Sequence, residues 1–146
     1  MNNTEKKLEY ILFSSWSISF IATLGSLYLS EIMKYEPCTL CWYQRILMYP
    51  LVLLLGTAII RKDYSIGIYS LILAIIGACI AAYHYSLQKI PFLSENGTSC
   101  GRIPCTGDYL DWFGFITIPF LALIAFLLII ICGFILMKIS KERNSI

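Results

Sequence analysis

Long apolar runs separated by short polar segments dominate the chain. The charge-free runs are Tyr10–Ser30, Ile46–Ile60, Tyr64–Gln88 and Trp112–Met137. A helix that crosses a bilayer needs about 20 mostly apolar residues, so the second run is long enough only if it is counted back through Arg45 to Cys38. The pattern therefore predicts four membrane helices and two outer loops, with helices at about 10–30, 38–60, 65–88 and 112–137 and loops at 31–37 and 89–111.

Composition agrees with this pattern. Of the 146 residues, 58% are hydrophobic and 14% are charged, and the mean hydropathy is +0.74. A soluble domain of this size could not bury so much apolar surface, so lipid surrounds most of the chain. We predict a single all-α membrane domain over residues 1–146, a four-helix bundle whose first helix is retained rather than cleaved as a signal peptide. The net charge of +2 gives no reason to expect a nucleic-acid partner.

The basic residues predict the orientation of the bundle. One side of the four-helix layout carries Lys6, Lys7, Arg61, Lys62, Lys138, Lys141 and Arg143. The opposite side carries Lys34, Lys89 and Arg102, with Arg45 at its edge. Because cytoplasmic loops are enriched in Lys and Arg, both termini are expected in the cytoplasm. Four cysteines then lie on the outer side, where disulfides persist: Cys38, Cys41, Cys100 and Cys105.

The sequence Pro37-Cys38-Thr39-Leu40-Cys41-Trp42-Tyr43-Gln44-Arg45 carries the most specific chemistry. Its two cysteines lie one turn apart at a predicted helix start, so they can close into a disulfide or open into two thiols. The partial positive charge of a helix start favours a thiolate. Arg45, one turn below Cys41 on the same face, favours the Cys41 thiolate further. This spacing predicts a redox centre, although Arg45 could instead be an arginine that extends to the membrane interface.

A second pair, Cys100 and Cys105, lies in the long outer loop among glycines and a proline. Three alternatives remain open for the four outer cysteines. They form two redox pairs, or they form static disulfides in a membrane assembly protein, or all four bind zinc as thiolates. The oxidising compartment favours disulfides over a zinc site, so we expect no metal.

The remaining chemistry-bearing residues are less specific. His84 falls about one turn before the outer end of the third helix, near Arg45 in depth, and is either a packed, hydrogen-bonded residue or part of the site. Cys79 and Cys132 have no cysteine near them in sequence, so we expect both to be buried as apolar residues.

Together these residues resemble the DsbB family, whose members are membrane thiol:quinone oxidoreductases. The resemblance covers nearly the whole chain and rests on Cys-Thr-Leu-Cys-Trp-Tyr-Gln-Arg at the start of the second helix and the cysteine pair in the second outer loop. Further matches are His84-Tyr-Ser-Leu-Gln88, Asp111-Trp-Phe-Gly114 and Ile118-Pro119. The short spacing between Cys100 and Cys105 is similar to the BdbC-like members of Gram-positive bacteria. Gln44 departs from the pattern, because some members have an acidic residue there.

The resemblance implies a function and its residues. The chain would reoxidise an extracytoplasmic thioredoxin-like thiol-disulfide oxidase (DsbA- or BdbD-like) and pass the electrons to a quinone, menaquinone or ubiquinone, in support of disulfide formation in exported proteins. It implies the disulfides Cys38–Cys41 and Cys100–Cys105, and it places Arg45 and His84 beside the quinone. The alternative is a membrane assembly or metal-binding protein with structural disulfides or a zinc site.

Overall fold

Four long helices form the bulk of the protein. The structure, a computed structural model, describes residues 2–96 and 113–145. Within these residues it contains α1 (Asn3–Glu31), α2 (Thr39–Arg61), a 3-10 turn (Tyr64–Ile66), α3 (Gly67–Lys89), the short α4 (Pro91–Asn96) and α5 (Ile118–Asn144). The four long helices are long and apolar enough to cross a membrane. The predicted all-α, four-helix class is confirmed.

The long helices pack as a closed ring. Both α1 and α3 pack against α2 and also against α5. At one end of the ring, Glu9 near the start of α1 forms an ion pair with Lys62, at 2.7 Å. Arg143 near the end of α5 lies over the ring of Tyr64, 5.2 Å from its centroid. The start of α1 and the end of α5 therefore lie beside the α2–α3 connection, and the starts of α2 and α5 lie at the opposite end.

The α2–α3 connection is short because Lys62 reverses the chain. This residue ends α2 in the left-handed conformation, with φ of 52° and ψ of 36°. The Asp63 carboxylate then accepts a hydrogen bond from the backbone N–H of Ser65, at 2.9 Å, at the start of the 3-10 turn. A single left-handed residue after a helix is a common way to end it.

Two helices differ from the apolar runs that predicted them. Helix α1 begins at Asn3 and α5 continues to Asn144, because charged residues propagate a helix into water as well as apolar ones do. Helix α5 begins at Ile118 rather than 112, with Pro119 in its first turn. The residues just before it are held by α3, whose Lys89 ammonium donates to the carbonyl of Gly114 at 2.9 Å.

Small residues bring the helices into close contact. A Cβ atom at Gly77 on α3 would collide with the ring of Phe126 on α5, which is fully buried. A Cβ atom at Gly67 would lie 2.9 Å from Leu136. Such close approach is how helices gain packing energy in lipid, where burial of apolar surface contributes little.

Candidate functional site

The start of α2 places two sulfur atoms side by side. Cys38 is the extended residue that precedes the helix, with φ of −71° and ψ of 172°, and its carbonyl accepts the first helical hydrogen bond, from Trp42 N–H at 3.1 Å. Cys41 lies in the first turn, and the two Sγ atoms are 3.2 Å apart. Only a small movement separates two such thiols from a disulfide. Cys38 is buried and Cys41 is half-buried.

His84 reaches this pair from α3. Its ring is 1% exposed, and Nε2 lies 3.6 Å from the Cys38 sulfur. The hydrogen bond with the Cys41 thiol, together with the His84 ring, lowers the pKa of Cys38 to about 4, although burial acts in the opposite direction. In the reduced protein the surroundings therefore favour a thiolate on Cys38. Sequence reasoning favoured a thiolate on Cys41, and it did not place the His84 ring beside the Cys38 sulfur.

Gln44 completes a chain of polar side chains across the α2–α3 interface. Its side chain is 6% exposed, and its Nε2 lies 3.1 Å from His84 Nδ1. Sequence reasoning noted this residue only as a departure from a family pattern. The available signal was its polarity, because an amide within a membrane helix is costly and usually serves a site.

Arg45 lies beside the pair but has its own partners. Its Nη2 donates to the backbone oxygen of Ser26 on α1 at 2.9 Å, and its guanidinium lies 5.5 Å from the centroid of the Trp42 ring. The side chain is partly buried. Arg45 thus joins α2 to α1 and brings a fixed positive charge close to the sulfur pair.

A cavity of about 450 Å³ opens beside these residues. Its lining includes Cys38, Cys41, Gln44, Arg45 and His84, and apolar side chains from α1 and α5 supply most of the remainder. Its rim includes Ile21 on α1 and Leu121 on α5, which are 67% and 46% exposed. The cavity therefore reaches the surface of the bundle that faces lipid.

Three further polar groups in the lining have no hydrogen-bond partner among the residues that the structure describes. The Tyr49 hydroxyl, the Thr117 hydroxyl and the Gln88 side-chain oxygen are buried without one. A buried polar atom costs free energy unless it is paired. The cavity therefore suits an apolar ligand that carries a few hydrogen-bonding atoms. Sequence reasoning missed both hydroxyls, although Tyr49 lies one turn below Arg45.

The sulfur pair and His84 also satisfy the geometry of a partial metal site. Among the described residues, Cys38 Sγ, Cys41 Sγ and a ring nitrogen of His84 lie within 4.8 Å of one another. Two thiolates and an imidazole are ligands that zinc prefers. This set differs from the four-cysteine site considered from the sequence, because His84 joins it.

The other cysteines fall outside this site. Cys100 and Cys105, with the disulfide expected between them, lie outside the described residues. Cys79 is exposed on the surface of α3 and Cys132 on α5 is half-buried. The prediction that both are buried was wrong, because a helix face that contacts lipid is apolar without being covered by protein.

Comparison with known proteins gives a consistent result. Residues 9–136 match the family described as "Disulfide bond formation protein DsbB". The chain is 66% identical over 134 residues to "Probable disulfide formation protein C 1" of Bacillus cereus (strain ATCC 10987 / NRS 248), which covers 92% of this chain and 96% of that protein. It is 59% identical over 120 residues to "Disulfide bond formation protein C" of Bacillus subtilis (strain 168), which covers 82% and 87%. No solved structure matches the chain.

Proposed function

Because the chain belongs to the DsbB family and has a role in disulfide bond formation, we propose that it is a membrane thiol:quinone oxidoreductase. The observation that carries this proposal is the position of the Cys38–Cys41 pair on the wall of a cavity that opens toward lipid. A dithiol placed there can deliver electrons to an acceptor that is dissolved in the membrane.

The residues of the cavity fit a quinone. A quinone combines a flat ring and two carbonyl oxygens with an apolar tail, which suits an apolar cavity with unpaired hydroxyl groups. The Tyr49 and Thr117 hydroxyls are the donors we assign to its oxygens, and the exposed rim between α1 and α5 leaves room for its tail. When bound, a quinone supplies the electron acceptor, since it takes up two electrons and two protons to become a quinol.

We propose that electrons reach the site through the second cysteine pair. A thiolate of the reduced partner, a thioredoxin-like oxidase, attacks Cys100 in the Cys100–Cys105 disulfide and releases Cys105. The Cys105 thiolate attacks Cys38 and releases Cys41. The partner's second thiol then completes the partner's disulfide and releases Cys100. The Cys100 thiolate attacks Cys105 and releases Cys38, so the Cys100–Cys105 disulfide is restored. The net result is an oxidised partner and a reduced Cys38–Cys41 pair.

The residues around the reduced pair then have distinct tasks. Cys38 is the sulfur that His84 favours as a thiolate, and it lies 3.2 Å from the Cys41 sulfur that it must rejoin. With Cys38 as a thiolate, closing this bond releases two electrons and the one proton of the Cys41 thiol, so the second proton that a quinol requires comes from solvent. Arg45 stabilises the negative charge that develops there.

The same proposal includes the orientation of the protein. The start of α2 faces the extracytoplasmic side, and the end that carries both termini faces the cytoplasm. The distribution of Lys and Arg supports this orientation, and an oxidising compartment is where such cysteine chemistry is used.

The test begins with purified protein in detergent. The protein is reduced, the reductant is removed without air, menaquinone is added, and thiols are identified by differential alkylation and mass spectrometry. We expect rapid formation of Cys38–Cys41 with loss of an equal amount of quinone. A Cys38→Ser or Cys41→Ser variant should reduce no quinone above the uncatalysed background, whereas Cys79→Ser should behave as the wild type. Full activity of either of the first two variants, or a pair that stays reduced, would overturn the proposal.

A metal-binding role is the second candidate, and the ligand group formed by Cys38, Cys41 and His84 favours it. It predicts that protein purified under reducing conditions carries one zinc ion per chain and lacks quinone activity. Metal analysis of the wild type and of His84→Ala separates the two functions.

A further inference from the structure

Gln44 and His84 are buried against each other in the outer half of the bundle. Gln44 comes from α2 and His84 from α3, and both side chains are almost inaccessible. A buried amide or imidazole is tolerated when its polar atoms are paired. The contact between Gln44 Nε2 and His84 Nδ1, at 3.1 Å, pairs one atom of each.

The chemistry of this contact determines which ring nitrogen carries the hydrogen. An amide nitrogen is only a donor, so the nitrogen that it faces must accept. Nδ1 of His84 therefore carries no hydrogen, and the ring hydrogen is on Nε2. Nε2 is the atom that lies 3.6 Å from the Cys38 sulfur, so its hydrogen is available to that sulfur.

We propose that Gln44 is a positioning residue that holds His84 in the Nε2–H tautomer, so that the ring donates a hydrogen bond to the Cys38 thiolate. Gln44 does not touch the sulfur and acts only through His84. The tautomer is a property of the reduced protein whether or not a quinone is present, whereas its use in closing the Cys38–Cys41 bond rests on the proposed function.

This tautomer also affects the metal site. A histidine binds a metal through a nitrogen that carries no hydrogen, and histidines that bind metals usually donate their other N–H to an acceptor. With the hydrogen on Nε2, the nitrogen nearest the sulfurs is not a free ligand. Gln44 therefore favours the thiolate over a metal complex at the same three residues.

The chain is well suited to a direct test, because His84 is its only histidine. Reduced protein labelled with [15N]histidine, purified with a histidine-free tag, gives one Nδ1 and one Nε2 signal. We expect the Nδ1 shift of an unprotonated nitrogen and the Nε2 shift of a protonated one. The reverse assignment would overturn the proposal. This result is independent of quinone reduction, so it is separable from a failure of the proposed function.

Two matched variants test the role of Gln44. In Gln44→Glu the carboxylate can only accept, so we expect the hydrogen to move to Nδ1, which reverses the pattern of the two nitrogen shifts. Gln88→Glu makes the same change in the other glutamine and should keep the Nε2–H tautomer.

The pattern across the two variants decides the outcome. Reversal in Gln44→Glu alone supports the proposal. A tautomer that does not change in Gln44→Glu, or one that reverses in both variants, would show that the Gln44 contact does not set it and would overturn the proposal.

Discussion

Polar side chains are buried at one end of the bundle and exposed to water at the other. At the end that carries the sulfur pair, Cys38, Gln44 and His84 are 5%, 6% and 1% exposed, and His84 contacts both of the others. At the other end, Lys62 and Glu9 pair while their side chains remain 62% and 36% exposed. Water satisfies polar groups at the second end, so they need no precise arrangement. Because Cys38, Gln44 and His84 are buried, they depend on one another for polar contacts. This dependence distinguishes a chemical site from a solvated surface.

The largest effect that we predict concerns the pH dependence of Cys38. Because its pKa is lowered to about 4, the thiolate is present above that pH and is lost only as the pH falls through it. In the reduced protein, the rate of Cys38 alkylation should therefore be nearly constant from pH 6 to 8. The alkylation rate of an ordinary thiol in the same tube, such as glutathione, should rise about a hundredfold from pH 6 to pH 8, since its thiolate fraction rises tenfold per pH unit.

The control for this experiment is His84→Ala. Without the ring, the rate of Cys38 alkylation should rise with pH, although less steeply than the rate of glutathione. Mass spectrometry of the Cys38 peptide measures the rate at each pH in the wild type and in the variant. A wild-type rate that increases as steeply as that of glutathione would show that the site does not favour the Cys38 thiolate.

The next prediction compares the loss of one arginine at each end of the bundle. Arg45→Ala removes a cation from the cavity, so we expect the KM for quinone to rise about tenfold with a smaller change in kcat, as for a lost charge-assisted contact. Arg61→Ala makes the same change at the end of α2 where charged residues reach water, and its kinetics should match the wild type. Steady-state quinone reduction at limiting quinone measures both. Equal kinetics for all three proteins would limit Arg45 to joining α2 to α1 through Ser26.

The same contrast explains how far the sequence predicts the molecule. Apolar runs of membrane length predict the four helices, and the spacing of Cys38 and Cys41 within one turn predicts their proximity. The contact between Gln44 and His84 joins residues on different helices, and its prediction requires the rotation of each helix about its axis. In lipid the outer face is as apolar as the inner one, as Cys79 shows, so hydrophobic periodicity carries little information about rotation. The cavity depends on the same rotations.

The smallest effect is expected at the solvated end, from Glu9→Gln. This change removes the ion pair with Lys62, but exposed pairs contribute little because water and salt screen them. The pair raises the pKa of Lys62 above 10.5, so whatever it contributes is present below that pH and is lost as the pH rises through the folded-state value. At pH 7 we therefore expect no resolvable change in the thermal unfolding midpoint or in quinone reduction, with or without added salt. The contrast between the two ends would fail if Glu9→Gln lowered the thermal unfolding midpoint by several degrees and added salt lowered that of the wild type equally. Such a result would show that a specific polar contact also stabilises this end.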